Sequence, residues 1–307
     1  MIKEISFFSH DEIQVVGRIW ECTDTAPKAV IQIAHGLGDK IERYDDFAKF
    51  LNSQGYVVYG HDHRGHGKTA ATEEQVGFFS EKGGWSKVIN DMSRVSEIAK
   101  ADYPDLPLFI FGHSMGSFIT RDFLRVKYDL IDGVILSGTA YHNPALIKLG
   151  SAIAKSEAKL RGKHHRSKLL DKMSFGSFNK HFKPNRTEFD WISRDNEQVD
   201  RYVSDPYCGI ISTASLFSDL SKGLKSINNI DTLKKVPKDI PIFFIAGDND
   251  PVGDFGKGVL KIFNRYNDLG FNDVSIKLYK GGRHEVLNEI NRNEVYDDIL
   301  SWLNNHL

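Results

Sequence analysis

The sequence predicts an α/β protein with a mostly parallel sheet, because short apolar segments alternate with helical segments along most of the chain. Continuous apolar runs such as "KAVIQIAHG", "YVVYGHD" and "LPLFIFG" are typical of strands buried on both faces. Other segments carry apolar residues at intervals of three and four, which is the period of an amphipathic helix. One strand candidate passes through a tight glycine-containing turn directly into a helix.

The predicted elements follow one another in a regular order. Residues 4–9 and 13–21 flank a polar turn and predict an antiparallel hairpin. Further strands are predicted at residues 28–36, 56–62, 106–112, 131–138, 240–250 and 274–282. Helices are predicted between or after these strands at residues 45–55, 85–104, 117–124 and 294–307.

Residues 140–232 break this alternation. They contain little strand signal, several helical stretches such as "NPALIKLGSAIAKSEAKL", and many aromatic side chains. We therefore predict a core formed by residues 1–139 and 233–307, with residues 140–232 inserted as a helical cap. The aromatic residues of this segment favour an apolar pocket, although aromatic side chains also form the ordinary core of such insertions.

Composition and charge narrow the class of protein. The 307 residues are 40% hydrophobic and 26% charged, with a formal net charge of −1, so nothing in the overall balance favours nucleic acid as a partner. The N-terminal residues do not resemble a signal peptide, no apolar run is long enough to span a bilayer, and the two cysteines have no metal-type spacing. These features predict a cytoplasmic enzyme, and they leave its oligomeric state open.

The sharpest chemical signal is the sequence Gly-His-Ser-Met-Gly at residues 112–116. It follows the strand "LPLFIF" and precedes the helical "SFITRDFL", which is the context of a nucleophile elbow. A sharp strand-to-helix turn leaves space only for glycine two positions before and two after the nucleophile. We therefore predict that Ser114 is a catalytic nucleophile, the alternative being a capping serine in a glycine-rich turn.

A serine nucleophile requires a base and an acid that orients this base. In the architecture that a nucleophile elbow indicates, the chain order of the three is Ser, Asp or Glu, His. His284 follows a strand and two glycines and is the predicted base, whereas His306 lies in the terminal helix and is a poorer candidate. Asp250 is the preferred acid and Asp248 the alternative. Whichever of the two is not catalytic is expected to be a turn or capping residue.

Acyl transfer also requires backbone N–H groups that bind the oxyanion. One candidate is the amide of Met115, directly after the nucleophile, and the other is the amide of Leu37 in the "HGLG" loop.

Together, "HGLGDKIERYDDFAKFL", "GHDHRGHGKT", "GHSMGS", "GDNDPV" and "GGRHEVLNE" resemble the α/β-hydrolase superfamily. Within it, the chain resembles the monoacylglycerol lipase and lysophospholipase group, which is related to serine aminopeptidase-type hydrolases. The resemblance implies an eight-stranded, mostly parallel sheet flanked by helices, with a helical cap. It also implies that Arg43, of an Arg-Tyr pair after the "HGLG" loop, faces the polar end of the substrate, the alternative being an ion pair with Glu42 or Asp39.

The predicted activity is hydrolysis of a carboxylic ester, such as a monoacylglycerol or lysophospholipid, through an acyl-enzyme and without cofactor or metal. An aminopeptidase or amidase would use the same triad, and a non-catalytic binding module is the alternative outside enzymes. A departure from the monoacylglycerol lipases is that Glu285, Val286, Leu287 and Asn288 follow His284, where those lipases have a second histidine.

The segment "HDHRGHGKT", residues 61–69, allows three other interpretations. As a phosphate-binding loop it has Asp62 in place of the first glycine, and as a dinucleotide turn it is only a partial match. As a zinc motif it has Gly65 where a metal-binding aspartate would stand, and no second set of ligands accompanies it. We therefore predict that this loop is a framework element.

Residues 155–186 are strongly basic. Ten lysine and arginine residues accompany only Glu157 and Asp171 in this stretch. We predict that this stretch is either a solvated face or a surface that contacts anionic lipid interfaces. Apart from such an interface, the predicted partner of the protein is a small-molecule acyl ester.

Overall fold

The computed structural model describes residues 1–22 and 26–307. Eight strands in these residues form one sheet: β1 (Ile2–Phe8), β2 (Gln14–Trp20), β3 (Ala29–Ala34), β4 (Tyr56–His61), β5 (Leu108–His113), β6 (Gly133–Ser137), β7 (Ile242–Gly247) and β8 (Val274–Tyr279). Their order across the sheet is β1-β2-β4-β3-β5-β6-β7-β8. Only β1–β2 and β2–β4 pair in antiparallel fashion, while the other neighbours are parallel. The predicted fold class, including the hairpin, is confirmed.

Helices cover both faces of the sheet. They are α1 (Asp45–Ser53), α2 (Gly84–Asp102), α3 (Met115–Lys127), α4 (Pro144–Arg161), α5 (Lys168–Phe175), α6 (Asn196–Ser204), α7 (Ala214–Asn228), α8 (Ile230–Leu233), α9 (Lys257–Asp268) and α10 (Arg292–Asn304). On one face α1 and α10 pack against the strands, and on the other α2, α3 and α9 do so, while α7 packs against α2 and α3. Strands β3 to β7 are buried throughout, as their apolar runs predict.

The segment between β6 and β7 is helical and contains α4 to α8. Outside the named strands, the described residues of this segment form one isolated β-bridge, between Arg166 and Thr213. Trp191, Ile192 and Tyr202 form a small apolar cluster here, with several of the aromatic residues noted in the sequence packed against it. No helix among the described residues has the length and apolar character needed to cross a membrane.

The C-terminal ends of the parallel strands lie at one edge of the sheet, where α/β proteins bind their ligands. The loops at this edge carry the residues that the sequence singles out. Residues 35–39 follow β3, Ser114 follows β5, Asp250 follows β7 and His284 follows β8. Residues more than two hundred positions apart in sequence are thereby brought to one site.

Candidate active site

Ser114 lies at the junction between β5 and α3, with φ of 51° and ψ of −119°. The space around this turn explains the flanking glycines. A Cβ atom on Gly112 would lie 2.5 Å from the Thr120 Oγ1 atom, and one on Gly116 would lie 2.0 Å from the Ala34 carbonyl oxygen. The turn therefore permits no side chain at either position, and the Ser114 hydroxyl stands at the positive end of α3.

His284 and Asp250 form a hydrogen-bonded pair, with 2.9 Å between the Nδ1 atom and the Asp250 Oδ2 atom. Both side chains are buried, and Asp250 has no exposed surface. The other carboxylate oxygen of Asp250 accepts a hydrogen bond from the Val252 amide at 2.8 Å, which holds the carboxylate in a fixed orientation.

The alternative acid, Asp248, has a different environment. Its Oδ1 atom accepts a hydrogen bond of 2.6 Å from the Gly281 amide, in the loop that leads to His284. Asp248 is therefore a turn residue that connects the loops after β7 and β8. His306 hydrogen-bonds to Asp273 at 3.0 Å, away from this pair.

Two opposing effects act on the His284 imidazole. Burial lowers its pKa, because an imidazolium ion is poorly solvated in the interior, whereas the charge and hydrogen bond of Asp250 raise it. The carboxylate outweighs burial, so the pKa of His284 lies above its usual value. The site thus stabilises the protonated form that His284 would adopt after taking a proton from a serine.

The loop after β3 is held against Ser114 from two sides. A Cβ atom on Gly36 would lie 3.3 Å from the Ser114 Cβ atom, so backbone and nucleophile are close. The Gly38 carbonyl oxygen accepts hydrogen bonds from the Tyr202 hydroxyl and the Gly209 amide, both at 2.9 Å. Leu37 lies between these two glycines, and Met115 begins α3 beside Ser114.

A small cavity of about 90 Å³, named the polar cavity because carboxylates line part of it, contains Ser114 and His284 in its wall. Asp39 and Glu285 also line this cavity. Both carboxylates bind Arg43, whose guanidinium lies 3.0 Å from Asp39 and makes two hydrogen bonds of 2.7 and 2.6 Å with Glu285. The ion pair of Arg43 with Asp39, one of the alternatives predicted from the sequence, is therefore present. The second partner of Arg43 is Glu285 rather than Glu42.

Ser114 also lines an apolar channel. It has a volume of about 390 Å³ and runs between α4, α5 and α7. Its wall includes Leu37, Met115, Phe118, Leu146, Leu149, Leu170, Met173, Phe175, Phe217 and Leu224. Ser114 thus lines two spaces, one with carboxylates in its wall and one that is mainly apolar.

A match to a known protein family shows to which family the chain belongs. A profile of the family described as serine aminopeptidase, S33 matches residues 25–291, most of the chain. The chain belongs to this family.

Relatives of this S33 family member agree in length and fold. A monoacylglycerol lipase of Mycolicibacterium smegmatis is 27% identical over 99% of the chain and 98% of its own length. A monoglyceride lipase of Mus musculus is also 27% identical, over 94% of the chain and 86% of its own length. The crystal structure of a carboxyl esterase from Bacillus coagulans superimposes with a TM-score of 0.89 at 32% identity, covering 99% and 98% of the two chains. The resemblance to the α/β-hydrolases and their monoacylglycerol lipase-like group is confirmed.

In the S33 family member, the segment "HDHRGHGKT" makes contacts within the framework. The carboxylate of Asp62 accepts hydrogen bonds from the Ile41 and Lys68 amides, both at 2.8 Å. A Cβ atom on Gly67 would lie 2.2 Å from the Asp62 Cγ atom, so glycine is required there. Among the described residues, no group of three or more His, Cys, Asp or Glu side chains is arranged to hold a metal ion.

Sequence reasoning missed two residues that shape the site. His113 packs its ring 4.7 Å from the His284 ring, and burial lowers its pKa to about 3, so it is neutral. Gly138, after β6, has φ of 58°, and a Cβ atom there would lie 2.9 Å from the His284 Cε1 atom. In the sequence, Gly138 is visible only as the glycine that ends the predicted strand "IDGVILSG". Its role beside His284 becomes visible only when the fold brings the two residues together.

Proposed function

We propose that the chain hydrolyses carboxylic esters through an acyl-enzyme formed on Ser114, with His284 as general base and Asp250 as its orienting acid. The observation that carries the proposal is that Ser114 lines one cavity together with His284, whose ring is hydrogen-bonded to the buried Asp250. Family membership and ester-cleaving relatives support the same class of enzyme, a carboxylic ester hydrolase.

In the proposed mechanism, the Ser114 hydroxyl attacks the ester carbonyl while His284 accepts its proton through Nε2. The Asp250 carboxylate keeps the proton on Nδ1 and stabilises the imidazolium that forms. His284 then donates a proton to the leaving alcohol. A water molecule, activated by the same histidine, attacks the acyl-enzyme and releases the carboxylic acid.

The oxyanion of each tetrahedral intermediate is proposed to bind the amides of Leu37 and Met115. The contact between Gly36 and Ser114, and the two hydrogen bonds to the Gly38 carbonyl, support this role because they fix the loop that contains Leu37. Preorganised donors of this kind contribute about 10²–10³-fold each to turnover in related chemistry.

The two spaces beside Ser114 suggest how an ester binds. The acyl chain would occupy the apolar channel, and the alcohol would occupy the polar cavity beside Asp39 and Glu285. A monoacylglycerol fits this division, and the names of the relatives favour it. A direct contact between Arg43 and the alcohol stays a prediction, since two carboxylates already bind its guanidinium.

Replacement of the nucleophile tests the proposal. Ser114→Ala is expected to abolish turnover of an activated short-chain ester and labelling by a fluorophosphonate, while the circular dichroism spectrum is retained. Ser301→Ala, at an exposed position of α10, is the matched control and should keep both properties. Retained turnover in Ser114→Ala would refute the assignment, and a folded wild type that neither turns over esters nor reacts would favour a binding module.

We further propose that residues 140–232 act as a cap whose outer surface contacts lipid interfaces. Leu146, Leu149 and Met173 line the channel and are 66%, 51% and 48% exposed, so the channel opens at an apolar rim. A groove between α4 and α7 adjoins this rim, and its lining includes Lys148, Lys155, Lys222 and Lys225. An apolar rim beside lysines suits an anionic lipid surface. A cytoplasmic location stays a prediction.

A further inference from the structure

The polar cavity beside Ser114 has a one-sided charge. Three carboxylates line it, those of Asp39, Asp171 and Glu285, and no lysine or arginine belongs to its lining among the described residues. The histidines that line it are His113, whose lowered pKa keeps it neutral, and the proposed base His284.

Arg43 compensates only part of this negative charge. Its single guanidinium binds both Asp39 and Glu285, so these three groups together carry one net negative charge. Burial would raise the pKa of Asp39, but Arg43 and other neighbours hold it at about 2, so that carboxylate is ionised. The pair of carboxylates therefore attracts a cation even with Arg43 in place.

Asp171, in the first turn of α5, adds a second negative charge. Its carboxylate forms no hydrogen bond or ion pair with any residue in 1–22 or 26–307, although basic residues are abundant nearby in sequence. Burial and the negative charge of Glu188 raise its pKa, as expected for a carboxylate without a compensating partner. A positively charged ligand group could supply the partner that the protein does not.

Aromatic rings complete the wall of the same cavity. Phe175, Phe189, Trp191 and Tyr202 all line it, and the Trp191 ring lies 5.2 Å from the His284 ring. Aromatic faces next to carboxylates are the surroundings in which proteins bind ammonium and quaternary ammonium groups. The rings are an observation separate from the charges, and both favour the same ligand chemistry.

We infer that the polar cavity selects esters by the charge of their alcohol, favouring an alkylammonium alcohol over a neutral one of equal shape and rejecting an anionic one. Asp171 is the specificity-determining residue. This inference rests on the proposed function and makes it narrower, because it places lysophospholipids with a net negative head group among the disfavoured substrates.

Three octanoyl esters that differ mainly in charge test the inference. They are the choline ester, the 3,3-dimethylbutyl ester, in which carbon replaces the quaternary nitrogen, and the 2-sulfoethyl ester. At about pH 8, where carboxylates are ionised, we expect kcat/KM of the choline ester to exceed that of the dimethylbutyl ester about tenfold. The sulfoethyl ester should be about tenfold poorer than the dimethylbutyl ester.

Asp171→Asn should lower the choline preference at least about threefold and improve hydrolysis of the sulfoethyl ester. Asp231→Asn, the same change at an exposed position of α8, is the control and should leave both ratios as in the wild type. Equal kcat/KM for the choline and dimethylbutyl esters in the wild type would overturn the inference, as would an unchanged preference in Asp171→Asn. Failure to cleave even the neutral ester would instead refute the proposed function.

Discussion

Backbone strain in the described chain is concentrated near the candidate active site. Non-glycine residues with positive φ are Glu12, Ser114, Asp254 and Phe255. Ser114 is the nucleophile candidate, and the Phe255 amide donates a hydrogen bond to the Asp250 carbonyl at 2.9 Å. Such conformations cost about 1–3 kcal/mol each and persist where the surroundings impose them. At Ser114 the surroundings are tightly packed, since neither Gly112 nor Gly116 has room for a Cβ atom.

The titration of His284 can be predicted from its surroundings. Because the pKa of His284 is raised, kcat/KM should fall on the acid side with an apparent pKa above about 6.5, the usual histidine value. The same shift stabilises the fold below that usual value, and this contribution is lost as pH rises through the raised pKa. Histidine NMR titration should give the same value as the kinetic profile.

Asp250→Asn separates the two effects on His284. Without the carboxylate, burial remains as the main influence, so the pKa of His284 should drop below its usual value. Turnover should fall about 10⁴-fold, the loss seen when an orienting aspartate is neutralised in other triads. Asp248→Asn is the comparison, and a larger loss in that variant would make Asp248 the acid.

Replacement of Gly138 tests its close approach to His284, which the sequence did not predict. Gly138→Ala would place a methyl group 2.9 Å from the His284 Cε1 atom and should displace the imidazole, lowering kcat at least about tenfold. Gly270→Ala is the control, because Gly270 also has positive φ but no atom within 4 Å of the added Cβ. Both variants should lose about 1–2 kcal/mol of stability through backbone strain. Equal kcat values in the two variants would show that the contact has no effect on catalysis.

At the scale of elements, α6 and the loop that follows it are connected to residues 35–39 after β3, the proposed oxyanion loop. Tyr202 in α6 donates a hydrogen bond to the Gly38 carbonyl, and Gly209 donates to the same oxygen and to the Tyr202 hydroxyl. The Arg43 guanidinium also lies 4.7 Å from the centre of the Tyr202 ring. The segment between β6 and β7 therefore fixes the loop on which the Leu37 amide lies.

Tyr202→Phe is expected to lower kcat by about three- to tenfold with little change in KM, because the oxyanion loop loses one of its two fixing hydrogen bonds. Steady-state kinetics with a short-chain ester measures the two constants. Tyr128→Phe, at an exposed tyrosine, is the matched control and should leave both unchanged. A rise in KM at constant kcat would instead make Tyr202 a substrate-binding group.

The elements themselves were largely predictable, and their contacts were not. Apolar runs such as "AVIQIA" identify β3 and its neighbours because a strand buried on both faces has no polar alternation. The chain order of Ser114, Asp250 and His284 is readable because the α/β-hydrolase fold fixes it. The ion pair of Arg43 with Asp39, four positions away, was among the predicted alternatives. The ion pair of Arg43 with Glu285 is not readable, because it joins residues 242 positions apart.

At the scale of the whole molecule, the basic stretch 155–186 is less uniform than its sequence indicates. Lys163 and Arg166 pair with Glu81 and Glu73 in the loop between β4 and α2, and Arg186 pairs with Asp200. Exposed pairs of this kind contribute only about 0–1 kcal/mol each. The pairs of Lys163 and Arg166 connect the segment between β6 and β7 to the loop between β4 and α2, whereas Arg186 and Asp200 both lie within that segment. Six lysines of the stretch form no ion pair with the described residues: Lys155, Lys159, Lys168, Lys172, Lys180 and Lys183.

The apolar rim then predicts how the whole molecule meets a lipid surface. Leu146→Asn combined with Leu149→Asn should weaken binding to vesicles that contain anionic phospholipid at least about tenfold, because burying one leucine contributes about 1.5–3 kcal/mol. Cosedimentation measures this binding. Leu260→Asn changes an exposed leucine of α9, outside the segment between β6 and β7. It is the control and should bind as the wild type does.

The same double variant separates docking from catalysis. A short water-soluble ester reaches Ser114 without a lipid surface, so its turnover should stay within about twofold of the wild type. Hydrolysis of a long-chain ester presented in vesicles should fall in parallel with vesicle binding, because the substrate must pass from the surface into the channel. If vesicle binding is lost while hydrolysis of the vesicle-borne ester is retained, the apolar rim is not the route by which the acyl chain enters. If Leu260→Asn lost vesicle binding to the same extent, general surface hydrophobicity rather than the apolar rim would hold the protein at the lipid.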